Sequence, residues 1–446
     1  MQQGNDSIDT VVLGGGQAGL IAGYELKRRG RDFVILDANT RPGDAWRTRW
    51  DSLRLFTPRR DCELPGLRFS GRRSLAPTKD EMADYLEAYA TQHELPVRNG
   101  VRATRLTEAG DLFRIETTKG DLTASNVVVA TGSYGAPKVP GFAGDLDPHV
   151  VQLHATAYKN PAQLQPGGVL LVGAGNSGAD ISLDVAGAHQ TWLAGPSVSH
   201  IPPDIDKWFA RTFVVRGVRF MQRNVLCLRT PIGRKAAPKM RGKATPLVRV
   251  KPKWLERAGV QRVGRIVGVY DGLPQLEDGR VLDVTNVIWC TGYRHDFPWI
   301  DLPGFDEHGL PVHKRGVSSA VPGLFFIGLE FQFALASASL WGVARDAAYV
   351  VKQLDKRPVA EPASMPMIDR DTRCSDSTRL VRRSPAGEGR LAPFEERGDT
   401  FVVVVGAEAL LQRPAMGGQV RVDVATETVV HQPLDPPDGE GRALRQ

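Results

Sequence analysis

The chain has 446 residues, too many for one ordinary core and suited to two or three domains, with 41% hydrophobic residues and a formal charge of +7. Residues 1–9 are polar and acidic, without the apolar run of a secretory signal; the longest apolar stretch, Leu324 to Trp341, carries Glu330 and Gln332, which a bilayer-spanning helix tolerates poorly. Cys62, Cys227, Cys290 and Cys374 stand singly, with no CxxC dithiol and no histidine cluster of zinc spacing, so a cytoplasmic protein without a metal site is expected.

The first element is the organising one. Thr10-Val11-Val12-Leu13 reads as a buried parallel strand, followed by Gly14-Gly15-Gly16-Gln17-Ala18-Gly19 and the helix-forming run from Leu20. Gly14 permits the tight turn, Gly16 lets backbone approach a diphosphate, and Gly19 lets the helix pack against its strand. The helix start offers unpaired N–H groups and partial positive charge to that diphosphate. Phe33 to Leu36 is a second strand, ending on Asp37, whose carboxylate is placed to accept from ribose hydroxyls.

Pro42-Gly43 signals a turn; Trp46, Arg47 and Trp50 beyond it suit either a loop lying against a flat ring or ordinary core. Thr78 with Glu81 is a capping box for a helix from Glu81 to His93, its core face carrying Met82, Tyr85, Leu86 and Tyr89. Phe113 to Thr117 and Val127 to Val129 are predicted strands, the second opening into Ala130-Thr131-Gly132, a small-residue turn that would bring backbone against the bound nucleotide. Pro137 to Pro140 marks a linker.

Val169 to Val172 then runs into Gly173-Ala174-Gly175-Asn176-Ser177-Gly178, a second complete strand–turn–helix phosphate fingerprint. Two such units in context predict two dinucleotide sites. The strand expected next, Thr191 to Ala194, ends in Gly195-Pro196-Ser197, with neither an acid to repel a 2′-phosphate nor an arginine to hold one. That leaves NADPH and NADH open, with a lean to NADPH from the basic segment downstream.

That segment, Lys207 to Arg257, holds fifteen Lys or Arg and one acid, Glu256, interleaved with Trp208, Phe209, Phe213, Phe220 and Met221. A lid over the nucleotide, an amphipathic membrane-surface helix and a plain insertion all fit this pattern. No nucleic-acid fold signature accompanies it, so no nucleic-acid partner is expected. Val287 to Trp289 with Cys290-Thr291-Gly292-Tyr293 echoes Val127 to Gly132, which suggests that the second unit is inserted and the first resumes here. Val321 to Gly328 is a buried strand, and Gln332 to Leu354 reads as a helix whose start aims at the first nucleotide site. From Lys356 the composition turns to a linker, with a small β unit suggested by Phe401 to Val405 and by Val420, Val422 and Val424.

Together, the two fingerprints, Gly43 to Trp46, Asp51 to Pro58, Thr291-Gly292-Tyr293 and Pro322 to Arg345 resemble the class B flavin-dependent monooxygenases, in the bacterial branch grouped with auxin-biosynthetic and cation-efflux-associated flavoproteins. The resemblance spans roughly residues 8 to 355. It implies an α/β fold of two Rossmann-like domains, as in pyridine nucleotide-disulfide reductases: 1–150 with 286–355 for FAD, and 160–285 for the nicotinamide, with the basic insertion 207–257 and a separate 356–446. By position, Gly14, Gly16, Gly19 and Asp37 would hold FAD, with Trp46 and Arg47 near it, and Gly173, Gly175, Asn176, Ser177 and Gly178 would hold NADPH, or NADH; Gln17, Ala18, Thr131, Gly132, Thr291 and Gly292 would also bind cofactor. His154, Tyr158 and Lys159 match the second half of the family's FxGxxxHxxxY(K/R) fingerprint, while Pro148 and Val150 replace its Phe and Gly, and Pro196 stands where relatives carry Arg.

The implied activity is NAD(P)H- and O₂-dependent: a C4a-(hydro)peroxyflavin oxygenates nitrogen or sulfur, or inserts oxygen beside a ketone, in a small molecule. Because the cofactor carries the hard chemistry, no acid–base triad is needed. Two other readings are a reductase passing electrons to another acceptor, which cannot use a CxxC here, and a non-catalytic flavin-binding accessory protein.

Overall fold

The computed structural model describes residues 7–132, 135–201, 213–241, 246–295 and 297–358. β1 (Ile8–Leu13) runs through the glycine turn into α1 (Gln17–Lys27), and β2 (Phe33–Asp37) lies parallel to β1 with Leu13 opposite Leu36. β3 (Leu122–Val129) flanks β1 on its other side, also in parallel. Val12 faces one core cluster and Val11 another, so the strand is buried on both faces and reads as a continuous apolar run. The capping box is present, with Thr78 Oγ1 accepting from Glu81 N–H at 3.2 Å, and the helix spans Lys79–Gln92 with the four expected residues buried.

A second sheet follows. β4 (Val169–Val172) leads into α2 (Asn176–Val185), then β5 (Thr191–Ala194), β6 (Gln261–Val263) and β7 (Asn286–Trp289). Its order is β6–β5–β4–β7 followed by Val151–His154, all in parallel register. This corrects one boundary: β7 resembles β3 in sequence, yet it pairs with β4 and Val151–His154, so the return to the first sheet comes after 289 and the second sheet begins at Val151. A strand's apolar run announces burial, not which sheet buries it.

The chain re-enters the nine-stranded first sheet, where β8 (Leu324–Phe326) pairs in parallel with β3, and α3 (Leu340–Leu354) shares a core with α1 through Val343, Ala347 and Val350. The closing helix is shorter than its sequence pattern suggests. Phe331 has φ +51°, and Ser337 Oγ takes the N–H groups of Phe333 and Ala334 while donating to Asp346, so 331–339 is a side-chain-stabilised loop. The opposite end of the sheet is clamped. Arg31 makes two 2.8 Å bonds to Asp9, and Asn126 and Arg357 join them. The suggested β unit at 401–424, Cys374 and Lys207 to Thr212 lie outside the described residues.

A pH-dependent stability term sits beside β8. Half-buried His313 accepts from Gly316 N–H on Nδ1 at 3.1 Å, and burial, aided by Arg241, pushes it down to about 4. The folded chain keeps this ring neutral where the unfolded chain, near pH 6.5, protonates it. Stability is therefore complete above about pH 6.5 and declines as pH falls toward 4, by up to roughly 3 kcal/mol. Urea unfolding near pH 7 and pH 5 checks this; the pH slope should shrink in His313→Gln.

Candidate active site

At the carboxyl edge of the first sheet, Gly14 has φ +109°, and a side chain there would put its Cβ 2.6 Å from the Ala130 carbonyl oxygen. A Cβ on Gly19 would lie 1.8 Å from Gly14 O, so α1 is set directly against its own turn. Gly16 is the N-cap of α1 with no side-chain cap, and a Cβ there would meet nothing within 4 Å. The first-turn N–H groups, with Gln17 and Ala18 among them, therefore face open space, which suits an oxyanion. Asp37, 5% exposed, accepts through Oδ1 from Asn39 backbone and side chain at 2.8 Å each. Its Oδ2 lies 2.4 Å from where a Gly15 Cβ would be, making Gly15 a third required glycine that the GxGxxG spacing does not mark. Gly132, φ +78°, also opens onto free space.

The second cradle repeats this construction. Gly173, φ +112°, abuts the Cys290 carbonyl oxygen at 2.3 Å, and Gly178 abuts Gly173 O at 1.9 Å, both measured to a hypothetical Cβ. Gly175 caps α2 without a side-chain bond, so the helix start carrying Ser177 keeps its N–H groups available, and Gly292, φ +83°, opens like Gly132. Asn176 departs from expectation: Oδ1 accepts from Val248 N–H at 3.0 Å and Nδ2 donates to Pro246 O at 3.1 Å, stitching the basic segment to the helix start. Arg262 on β6 donates to Gly195 O at 2.9 Å and Pro196 O at 3.4 Å. The guanidinium missing at the tip of β5 is thus supplied by the neighbouring strand, 66 positions along the chain, where local inspection finds nothing.

The chains leaving the two cradles are joined to each other. The chain leaving Thr131-Gly132 forms Ala136–Pro137, which pairs antiparallel with Tyr293–Arg294, the chain leaving Thr291-Gly292. Lys138 N–H donates to Gly292 O at 3.0 Å, and Thr291 Oγ1 donates to Lys138 O. His154 reaches the same carbonyl through Nε2 at 3.1 Å, which assigns the proton to Nε2, while Nδ1 meets Thr156 Oγ1 at 3.0 Å. Burial holds this imidazole below its ordinary range, against the pull of Gly292 O. Tyr158 donates to Asp184 on α2 at 2.7 Å, and Lys159 Nζ bonds Thr48 O. Arg49 in turn bonds the Tyr293 hydroxyl at 2.7 Å. The partial fingerprint is therefore a clamp between the second sheet and the loop at 48–51.

Arg47 is redirected. Its guanidinium bonds Pro42 O at 2.9 Å, Asp44 at 3.2 Å, Asp84 at 2.7 Å and Glu87 at 2.5 Å, so it braces the loop that carries Trp46 against the Lys79–Gln92 helix. Half-buried Trp46 packs on the first core; Trp50 is buried in the core of the second sheet. Burial pushes the Cys62 and Cys290 thiols up to about 12, the reverse of what thiol–disulfide exchange requires. No helix among the described residues is long and apolar enough to cross a membrane, and none of their side chains cluster as a metal site.

A parallel sheet opening a glycine turn at its carboxyl edge, repeated once, is the architecture of oxidoreductases that hold two dinucleotides. Residues 11–199 match the pyridine nucleotide-disulphide oxidoreductase family. The chain is 37% identical over 349 residues to a CzcO-like oxidoreductase of Geobacillus kaustophilus, covering 78% of this chain and 98% of that one. It is 30% identical to the Arabidopsis thaliana protein named probable indole-3-pyruvate monooxygenase YUCCA3, covering 78% and 86%. It aligns with the solved flavin-containing monooxygenase from Stenotrophomonas maltophilia at TM-score 0.60 and 30% identity, covering 78% and 98%. The chain belongs to the flavin-dependent monooxygenase family. It is an oxidoreductase.

Proposed function

We propose that the protein is an NADPH- and O₂-dependent flavin monooxygenase acting on a small molecule with an oxidisable nitrogen or sulfur, or on a ketone. The carrying observation is the ribbon of Ala136–Pro137 with Tyr293–Arg294, which ties together the chains leaving both cradles at the carboxyl edges of the two sheets. FAD and NADPH are the cofactors. The cradles fit them, since Gly14, Gly19, Gly173 and Gly178 are glycine where a Cβ would strike backbone and both helix starts lack a side-chain cap. FAD, when bound, supplies the redox and oxygen-activating chemistry.

The chain supplies binding and orientation. The Gly14–Gly19 turn and α1 take the FAD diphosphate, Asp37 takes a ribose, and Thr131 and Gly132 give close backbone. Gly173, Gly175, Ser177 and Gly178 take the nicotinamide diphosphate, with Thr291 and Gly292 beside it, and Asn176 holds the overlying segment at 246–248. His154 stays neutral and fixes the crossing at Gly292. The test is an anaerobic titration of the yellow holoprotein with NADPH, then mixing with oxygen and a panel of sulfides, amines and ketones. Oxygenated product matched to NADPH consumed is expected. Stoichiometric H₂O₂ with every candidate, alongside full turnover of an artificial acceptor, would assign a reductase instead.

Arg262 is assigned the 2′-phosphate. Arg262→Gln should lower kcat/KM for NADPH by ~10–100-fold, the worth of a charge-assisted hydrogen bond, with NADH kinetics unchanged. Equal losses with both nucleotides would make the residue a support for Gly195 alone.

A further inference from the structure

The loop at 331–339 is laced to the basic segment. Leu228 N–H donates to Phe333 O at 2.8 Å, Leu335 N–H donates to Leu226 O at 2.9 Å, and Cys227 bridges Ala334. At this seam lies a cavity of about 290 Å³ lined by Arg223, Arg229, Arg315 and Arg345, together with Phe333. None of the described lining residues is acidic. Asp346 lies behind them, fully buried, 3.6 Å from Arg315 Nε and 3.9 Å from Arg345 Nε, with its other oxygen held by Ser337 at 2.5 Å. Those separations are too long for hydrogen bonds, and one carboxylate faces two cations.

Two of these arginines, Arg315 and Arg345, are held in place yet unsatisfied. Arg315 is stacked between Phe333 and Tyr349, 4.0 Å from each ring centre, and Arg345 lies 4.7 Å over Phe333 with Nη1 donating to Arg223 O at 2.7 Å. Arg345 Nε and Nη2 are buried without a hydrogen-bond partner. The side chains of Arg223 and Arg229 are exposed and make no hydrogen bond or ion pair with the described residues. Burial, with Arg223 and Arg315 nearby, depresses the Arg345 guanidinium despite Asp346. Buried donors without acceptors and converging like charges both cost free energy that an anion would recover.

We propose that this cavity binds a small molecule through an oxyanion, a carboxylate or a phosphate, received by Arg345 and Arg229. Planar guanidinium forks match such groups in bidentate fashion, and stacking on Phe333 orients Arg345 in advance. The site hangs on the chain that leaves β8 beside the first cradle. Gly328, five residues before Phe333, sits with a hypothetical Cβ 3.4 Å from Ala18 on α1. Anion binding here is independent of which molecule is oxygenated.

Calorimetric titration of the FAD-bound protein at low ionic strength, with inorganic phosphate and separately with benzoate, is the test. Saturable one-to-one binding of at least one probe is expected, weakened at least ~10-fold in Arg345→Gln and in exposed Arg229→Gln. Benzoate alone binding identifies an organic acid as the occupant; phosphate alone identifies a phosphate or its ester. Absence of saturable binding by both probes, or wild-type affinity in both variants, overturns the proposal.

Discussion

Gly19→Ala should give a folded protein that purifies without flavin. The added Cβ falls 1.8 Å from the Gly14 carbonyl oxygen, whereas carbon–oxygen contacts settle at about 3.3–3.6 Å. The obstacle is backbone on a turn with φ +109°, itself pressed against Ala130, so no side chain can swing aside. α1 must move by more than an ångström, carrying its first-turn N–H groups away from the diphosphate. Overpacking of this kind costs about 1–3 kcal/mol of stability, within what a chain with two large cores tolerates. FAD affinity should fall by at least ~100-fold, as several charge-assisted bonds are misaligned together. The flavin-to-protein absorbance ratio, with far-UV circular dichroism as the folding control, checks this. Wild-type flavin content would refute the placement of FAD on this turn.

Gly178→Ala makes the complementary change at the other cradle, its Cβ 1.9 Å from Gly173 O. Gly173 is wedged against Cys290 as Gly14 is against Ala130, so α2 is displaced in the same way. Here the protein should remain yellow and be bleached normally by dithionite, while anaerobic reduction by NADPH slows at least ~100-fold. The pair separates the two sites: one variant loses the flavin, the other keeps it and loses its reductant. If Gly178→Ala lost flavin while Gly19→Ala did not, the assignments would have to be exchanged.

The features legible in the sequence share one property: their partners lie within a few residues. Each glycine turn joins its own strand and helix, Asp37 ends the strand that follows, and Thr78 caps through Glu81 three positions on. Where a residue's partner is distant, local reading fails. Arg262 reaches Gly195 and Pro196 from the next strand. Arg47 bonds Asp84 and Glu87 on a helix almost forty residues away, which no local pattern announces. The helical spacing across 332–339 is genuine, but Ser337, its hydroxyl held by Asp346, captures the backbone first.

What the sequence determined alone was that the chain builds two diphosphate cradles, because glycine spacing and strand apolarity are short-range consequences of backbone sterics. Tertiary structure decided which sheet each strand joins, where the arginines converge and how the cradles meet. Those outcomes rest on charges and hydrogen bonds between positions far apart in the chain, and side-chain reach across a fold is not written in local periodicity.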